Sequence, residues 1–264
     1  SALLGILAFD AIKSFILLPD GNMSEFQRRQ MTTVDSSNVF TLRVNGTFDD
    51  CQVIVKQAFN ERSFLKDNQF LLAVNSINWV RIIGQICYYF YASLKTNELK
   101  EPLNFSVPTG NFGNVFACYS AYKMGMPLNK ILVAVNDNNI LHRFFSDNDY
   151  SRSKVSETLS PSMDISIASN FERLLYDFYA ERDSSICDQF YRNFPKSPIN
   201  LEKHMWEKSK DLFMSYSVDD ISTIKAMKDT FASYNYLIDP HTAVAIEAVD
   251  QINEKLNGNT IILS

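Results

Sequence analysis

Glycine supplies only eight of 264 residues, proline eight, cysteine four, histidine three and tryptophan two. So little glycine and proline excludes a collagen-like or low-complexity chain. Four cysteines cannot staple a disulfide-dense secreted scaffold of this length. Cys51, Cys87, Cys118 and Cys187 lie far apart with no pair at metal-ligand spacing, and they read as free thiols in a reducing compartment. His142, His204 and His241 are equally scattered and announce no zinc site. Basic charge is not in excess: 25 Lys and Arg against 30 Asp and Glu leave a net charge of −5. That balance leaves no polyanion footprint, and no nucleic-acid partner is expected. No apolar run is long enough to cross a bilayer; the longest, 77–94, is interrupted by Arg81 and Gln85, so no membrane partner is expected. The apolar opening, 1–9, lacks a basic flank and a cleavage site, which argues against a signal peptide and for a cytoplasmic location.

What the chain does have is apolar material, 46% of its residues, enough for a sizeable core. Its length suits one large domain or two smaller ones. Short β-rich runs alternate with amphipathic stretches. Strands are predicted at 14–18, 39–44, 105–107 and 130–135, with a last one at Ile261. Helices are predicted at 24–33, opened by a Ser24/Gln27 capping box, and at 50–60, capped by Thr47 and Asp49. Further helices are expected at 76–94, 115–124, 165–180, 202–216, 218–233 and 240–256. Strands separated by helices argue for parallel βαβ units, hence an α/β fold. The polar stretch 94–101 suggests a hinge between lobes 1–97 and 98–264.

Two of the scarce glycines stand together in Pro108-Thr-Gly-Asn-Phe-Gly-Asn114, between a strand and a helix. Gly110 and Gly113 are expected to give the backbone positive φ and close approach to an anion. The helix that follows begins with free N–H groups and a partial positive charge, which favour phosphate. Thr109 and Asn111 add side-chain donors. No Gly-Lys-Ser/Thr follows, so nucleoside triphosphates are disfavoured. A plain turn with an asparagine cap explains the spacing equally well, and on spacing alone both readings stay open. Near the C-terminus, Asp239 and Pro240 read as the cap and first residue of a helix.

Taken with other segments, this loop resembles that of threonine synthases, pyridoxal-phosphate enzymes of the tryptophan-synthase-β type. Those segments are Ser24-Glu-Phe-Gln-Arg-Arg-Gln-Met-Thr-Thr33, Gly46-Thr-Phe-Asp-Asp-Cys-Gln52, Ala73-Val-Asn-Ser-Ile-Asn-Trp79 with Arg81, and Asn138-Asn-Ile-Leu-His-Arg-Phe144. Thr158-Leu-Ser-Pro-Ser-Met-Asp-Ile165, Ser169-Asn-Phe-Glu-Arg-Leu-Leu175 and Asp239-Pro-His-Thr-Ala243 follow in family order. The resemblance runs from about Ser14 to the C-terminus. It implies a fold-type-II architecture, incomplete here, with two lobes whose parallel-rich sheets are flanked by helices. It also implies pyridoxal 5′-phosphate as cofactor and O-phospho-L-homoserine as substrate, converted with water to L-threonine and phosphate. Thr109, Gly110, Asn111, Phe112 and Gly113 would hold the cofactor phosphate through backbone N–H groups, and Thr242 would face the pyridine nitrogen. Asn75, Ser76 and Arg81 fall where the family binds the substrate's phosphate, a role that suits a guanidinium beside a helix start.

One part of the pattern has no counterpart. The family's Schiff-base lysine sits in a Phe-Lys-Asp segment that precedes the region where this chain begins. Phe64-Leu-Lys-Asp67 imitates it, but carries an inserted Leu65 and falls where the family has a variable surface connection. Lys66 is therefore rejected, and no residue is assigned as the catalytic lysine. Both ends read as cut: Ser1-Ala2 as what remains after a missing loop, Thr260-Ile-Ile-Leu-Ser264 as a strand without its continuation. The expectation is a truncated threonine synthase inactive on its own. The alternative is a non-catalytic descendant that binds phosphate ligands or a partner.

Overall fold

A computed structural model of the chain describes residues 5–20, 25–46, 48–74, 76–179, 185–194 and 197–264. The chain falls into two compact units, Ser1–Val74 and Asn75–Ser264. The predicted lobe boundary was 97/98; the units part at 74/75, because the long helix after that point packs onto the second unit's core.

In the first unit β1 (Ser14–Pro19) pairs in parallel with β2 (Val39–Val44), Ser14 opposite Val39 and Pro19 opposite Val44. The connection carries α1 (Glu25–Thr32), and α2 (Phe48–Asn60) follows and packs on β1. Ser24 and Thr47, predicted caps of these helices, lie outside the described residues. The Phe15 and Phe40 rings stack across the strands at 5.1 Å. Leu18, Pro19 and Cys51 are buried apolar residues among those described in this unit.

The second unit is built on a four-stranded parallel sheet ordered β5-β4-β3-β6: β3 (Leu103–Pro108), β4 (Leu128–Val135), β5 (Phe213–Ser217) and β6 (Thr260–Ile262). Alternate residues of β4 serve opposite faces, as the pleat dictates. Ile131, Val133 and Val135 join the cluster beneath α3 (Trp79–Asn97) and α4 (Gly113–Lys123). Leu132 and Ala134 join the cluster formed with Val244, Ala245 and Ala248 of α10 (Pro240–Ile252). Helix α3 buries Ile82, Ile86, Tyr89 and Ser93, one helical stripe, against α4. The α/β fold with parallel strands flanked by helices is as expected.

Several elements differ from the sequence reading. The stretch 202–216 is not one helix: α8 (Lys203–Ser209) stops, and β5 takes the rest, because a β-rich run finds an open edge of β4. The helix expected at 165–180 begins only at Phe171, as α6 (Phe171–Tyr179); Ala180 lies outside the described residues. Two short helices were not anticipated, α5 (Ile140–Asp147) and α7 (Ser185–Asn193). Helix α9 (Asp220–Tyr234) falls within two residues of expectation. Helix α3 starts three residues later than predicted, capped by Asn78, whose Oδ1 accepts from Val80 N at 2.9 Å.

Candidate functional site

Strand β3 is buried along five residues and emerges at Pro108, at the C-terminal edge of the parallel sheet. Crevices outside that edge are where open α/β sheets take ligands. The chain then turns into α4 through Thr109–Phe112. Thr109 is anchored inward: its N–H donates to Ala134 O at 2.8 Å and its hydroxyl to Val107 O at 2.5 Å. The amide of Thr109, expected to meet a phosphate, is thus committed to the sheet. The amides of Gly110, Asn111, Phe112, Gly113 and Asn114 have no hydrogen-bond partner among the described residues. Five successive unpaired N–H groups at a helix start are the donors an anion needs.

The glycines serve this loop differently from expectation. Neither Gly110 nor Gly113 has positive φ; Phe112 does, at φ 63° and ψ 2°. A bulky residue holds that conformation only where its surroundings over-determine it. Here the buried ring packs edge-on against Phe171 at 5.3 Å and lies 6.4 Å from Phe145 and Phe213. Gly110 is required by close approach instead: a Cβ there would lie 2.7 Å from Ser162 O.

Across from the loop stands the start of α3. Ser76, Arg81, Gln85 and residues 108–114 together line a cleft of about 140 Å³. Arg81 is exposed and makes no ion pair with any described residue, so its guanidinium is free to meet an anion. No acidic side chain is among the lining residues. The cleft therefore brings two of the three predicted substrate ligands, Ser76 and Arg81, to the predicted cofactor loop. Asn75 lies outside the described residues. Thr242 is not among the lining residues; it is buried in the first turn of α10, its hydroxyl donating to Asp239 Oδ2 at 2.8 Å.

Sequence reasoning missed three contributors. Gln85 lies one turn beyond Arg81 and lines the same wall, a position that i, i+4 spacing from Arg81 would have found. Tyr89 donates to Asn114 O at 2.8 Å and to Asn114 Oδ1 at 2.9 Å, tying α3 to the first turn of α4. Complete burial pushes its phenol well above the ordinary value, so it stays a neutral donor. Asn170, at the start of α6, donates to carbonyls of both walls, a contact no local pattern announces. Lys66 sits exposed after a 3₁₀ turn in the first unit.

The residues present fit a phosphate-bearing cofactor, because five open amides at a helix start line a cleft that also holds Arg81 and no acidic side chain. The chain belongs to the family of pyridoxal-phosphate-dependent enzymes, whose pattern matches residues 2–190. Within that family it is similar to threonine synthases. The enzyme of Pseudomonas aeruginosa is 41% identical over 257 residues, covering 97% of this chain and 55% of the relative. That of Saccharomyces cerevisiae is 39% identical over 277 residues, covering 99% and 54%. Among solved structures, the PLP-bound threonine synthase from Brucella melitensis superposes with a TM-score of 0.87 at 37% identity, covering 99% of this chain and 56% of that one. The chain thus spans about half the length of the relatives it matches. No described helix is long and apolar enough to cross a membrane.

Proposed function

We propose that this chain supplies the phosphate-recognising machinery for threonine synthase chemistry, in which O-phospho-L-homoserine and water give L-threonine and inorganic phosphate. The observation that carries this reading is the shared cleft: Ser76 and Arg81 line the same small space as residues 108–114. The cofactor, when bound, supplies the electron sink for this chemistry. The amides of residues 110–114 hold its phosphate at the start of α4, where the helix dipole adds to the hydrogen bonds. Arg81 meets the departing phosphate of the substrate with planar paired donors, and the Ser76 hydroxyl adds a third. Gln85, beside them, has an amide to offer the same oxygens. On this reading Thr242 takes the pyridine side of the cofactor, with its hydroxyl proton already engaged by Asp239. Asn75 is kept as a substrate ligand on the family resemblance alone.

Arg81→Gln in the complete protein tests the assignment. It retains a polar side chain but loses the charge and the fork, so KM for O-phospho-L-homoserine should rise at least tenfold with the cofactor still bound. An unchanged KM would remove Arg81 from the substrate site.

A second reading applies to the 264-residue polypeptide taken alone. None of the residues that line the cleft is a lysine. Covalent catalysis by a lysine at this cleft then requires one from elsewhere, and the polypeptide alone would bind phosphate compounds without turning them over. Hydride reduction in the presence of the cofactor, followed by peptide mapping, checks this: the isolated polypeptide should yield no single labelled lysine. Steady phosphate release from O-phospho-L-homoserine by it would refute the reading.

A further inference from the structure

The two walls of the cleft come from segments over twenty residues apart in sequence, and a third segment holds them together. Asn170, fully buried, sits at the start of α6. Its Nδ2 donates to Ser76 O at 2.9 Å and to Asn111 O at 3.1 Å, and its own amide also donates to Asn111 O at 3.1 Å. One carboxamide thus grips the backbone of the Arg81 wall and the backbone of the loop at once. Arg173, one turn on, completes the clamp. Its Nε donates to Asn170 Oδ1 at 3.0 Å, which fixes which end of the carboxamide faces the carbonyls, and its Nη2 donates to Ile77 O at 2.8 Å. Its guanidinium lies 5.4 Å from the centre of the Trp79 ring. Ser169 adds a bond to Asn111 Oδ1 at 3.0 Å. Gly113 is part of the same fit, since a Cβ there would come within 3.3 Å of Asn170 Nδ2.

The Arg173 side chain is spent on one carboxamide oxygen, one backbone carbonyl and a ring. A mutually satisfied, part-buried set built around one fully buried carboxamide holds backbone segments in one arrangement. We propose that Asn170 and Arg173 are positioning residues: they set the distance between the subsite at Ser76 and Arg81 and the subsite at residues 110–114, so that a molecule engaging both finds them already spaced. This rests on the reading of the cleft given under the proposed function. The physical ground is that a ligand bridging two phosphate subsites gains from orientation only when both are held to a fraction of an ångström.

The test uses the complete, cofactor-loaded protein with inorganic phosphate as the probe, titrated calorimetrically, alongside steady-state kinetics with O-phospho-L-homoserine. Arg81→Gln is the control for the cleft itself and should weaken phosphate binding at least tenfold. Asn170→Ala and Arg173→Gln touch neither ligand. Each should weaken phosphate fivefold or more and raise KM, and Asn170→Ala should also weaken cofactor affinity in a spectroscopic titration. A merely structural role would lower the melting temperature but leave both affinities of the folded protein within twofold, which would overturn the proposal. Should Asn170→Ala fail to fold, Arg173→Gln decides by the same criterion. Should Arg81→Gln leave phosphate binding intact, the reading of the cleft has failed, and the inference falls with it for a reason the positioning variants do not share.

Discussion

At Gly110 a single hydrogen in place of a methyl decides whether the loop can close. The obstacle to a side chain is backbone, Ser162 O at 2.7 Å and Met163 Cα at 3.2 Å, and backbone does not swing aside as a flexible side chain would. Gly110→Ala should therefore destabilise the folded protein by about 1–3 kcal/mol, the usual cost of forcing extra volume into a packed site. Because the shift falls on the amides of residues 110–112, cofactor affinity should fall as well. Chemical denaturation and a spectroscopic cofactor titration measure the two effects, and an alanine variant with both unchanged would show that the loop yields freely. This residue-level requirement was only half visible in the sequence. Two glycines among eight in one short bend announced a special backbone. The reason, contact with residues 162–163 some fifty positions away, belongs to the tertiary fold and carries no local signature.

Elements whose cause is local were readable, and those whose cause is a distant partner were not. The first turn of α10 shows the local kind. Asp239 caps it as its position before Pro240 predicts, accepting from His241 N at 2.8 Å and Thr242 N at 3.3 Å. By contrast, Phe213 to Tyr216 falls within the helix predicted over 202–216, and only pairing with β4 makes Phe213–Ser217 a strand. The site divides in the same way: the loop, Arg81 and Asn170 all stood in recognisable segments, but the bonds Asn170 makes depend on how three segments meet. The Asp239 cap has a pH signature. Burial pushes its carboxyl up, but bonds from Thr242 and His241 outweigh that and hold it below the ordinary 3.8. A depressed carboxylate contributes stability that is present above its unfolded value and is lost as pH falls through the ordinary range to the lowered folded one. Asp239→Asn retains a capping oxygen but not the charge, so its deficit relative to the native protein should shrink as pH drops below about 4. Asp239→Ala loses the cap too and should cost about 1 kcal/mol more near neutrality. Urea unfolding of both variants at several pH values checks the sign; a deficit of Asp239→Asn that grows on acidification would contradict it.

Over the whole molecule, burial is unevenly shared between the two compact units, and stability should follow it. Strands β3 and β4 each carry five consecutive buried residues and are covered on both faces. Strand β2 has none; Phe40 and Leu42 are exposed, and Phe15 of β1 is 63% exposed. A two-stranded sheet has little to bury, and a pair of strands alone is marginal in water. Local opening free energies range from near zero at such elements to the full unfolding value in a packed core. Hydrogen exchange in the 264-residue chain should therefore be graded: amides of β1 and β2 exchanging roughly a hundredfold or more faster than those of β4, with the segment 131–135 among the last to exchange. The cleft walls occupy a middle position, since α3 buries one stripe while the open amides of residues 110–114 have nothing to release. Phosphate should slow exchange at those five amides and leave β1 and β2 unaffected, because the ligand adds bonds only where donors stand free. Equal protection of β2 and β4 would mean that the first unit's stability comes from something other than its own core, and slowing in β2 on adding phosphate would place the anion somewhere other than the loop.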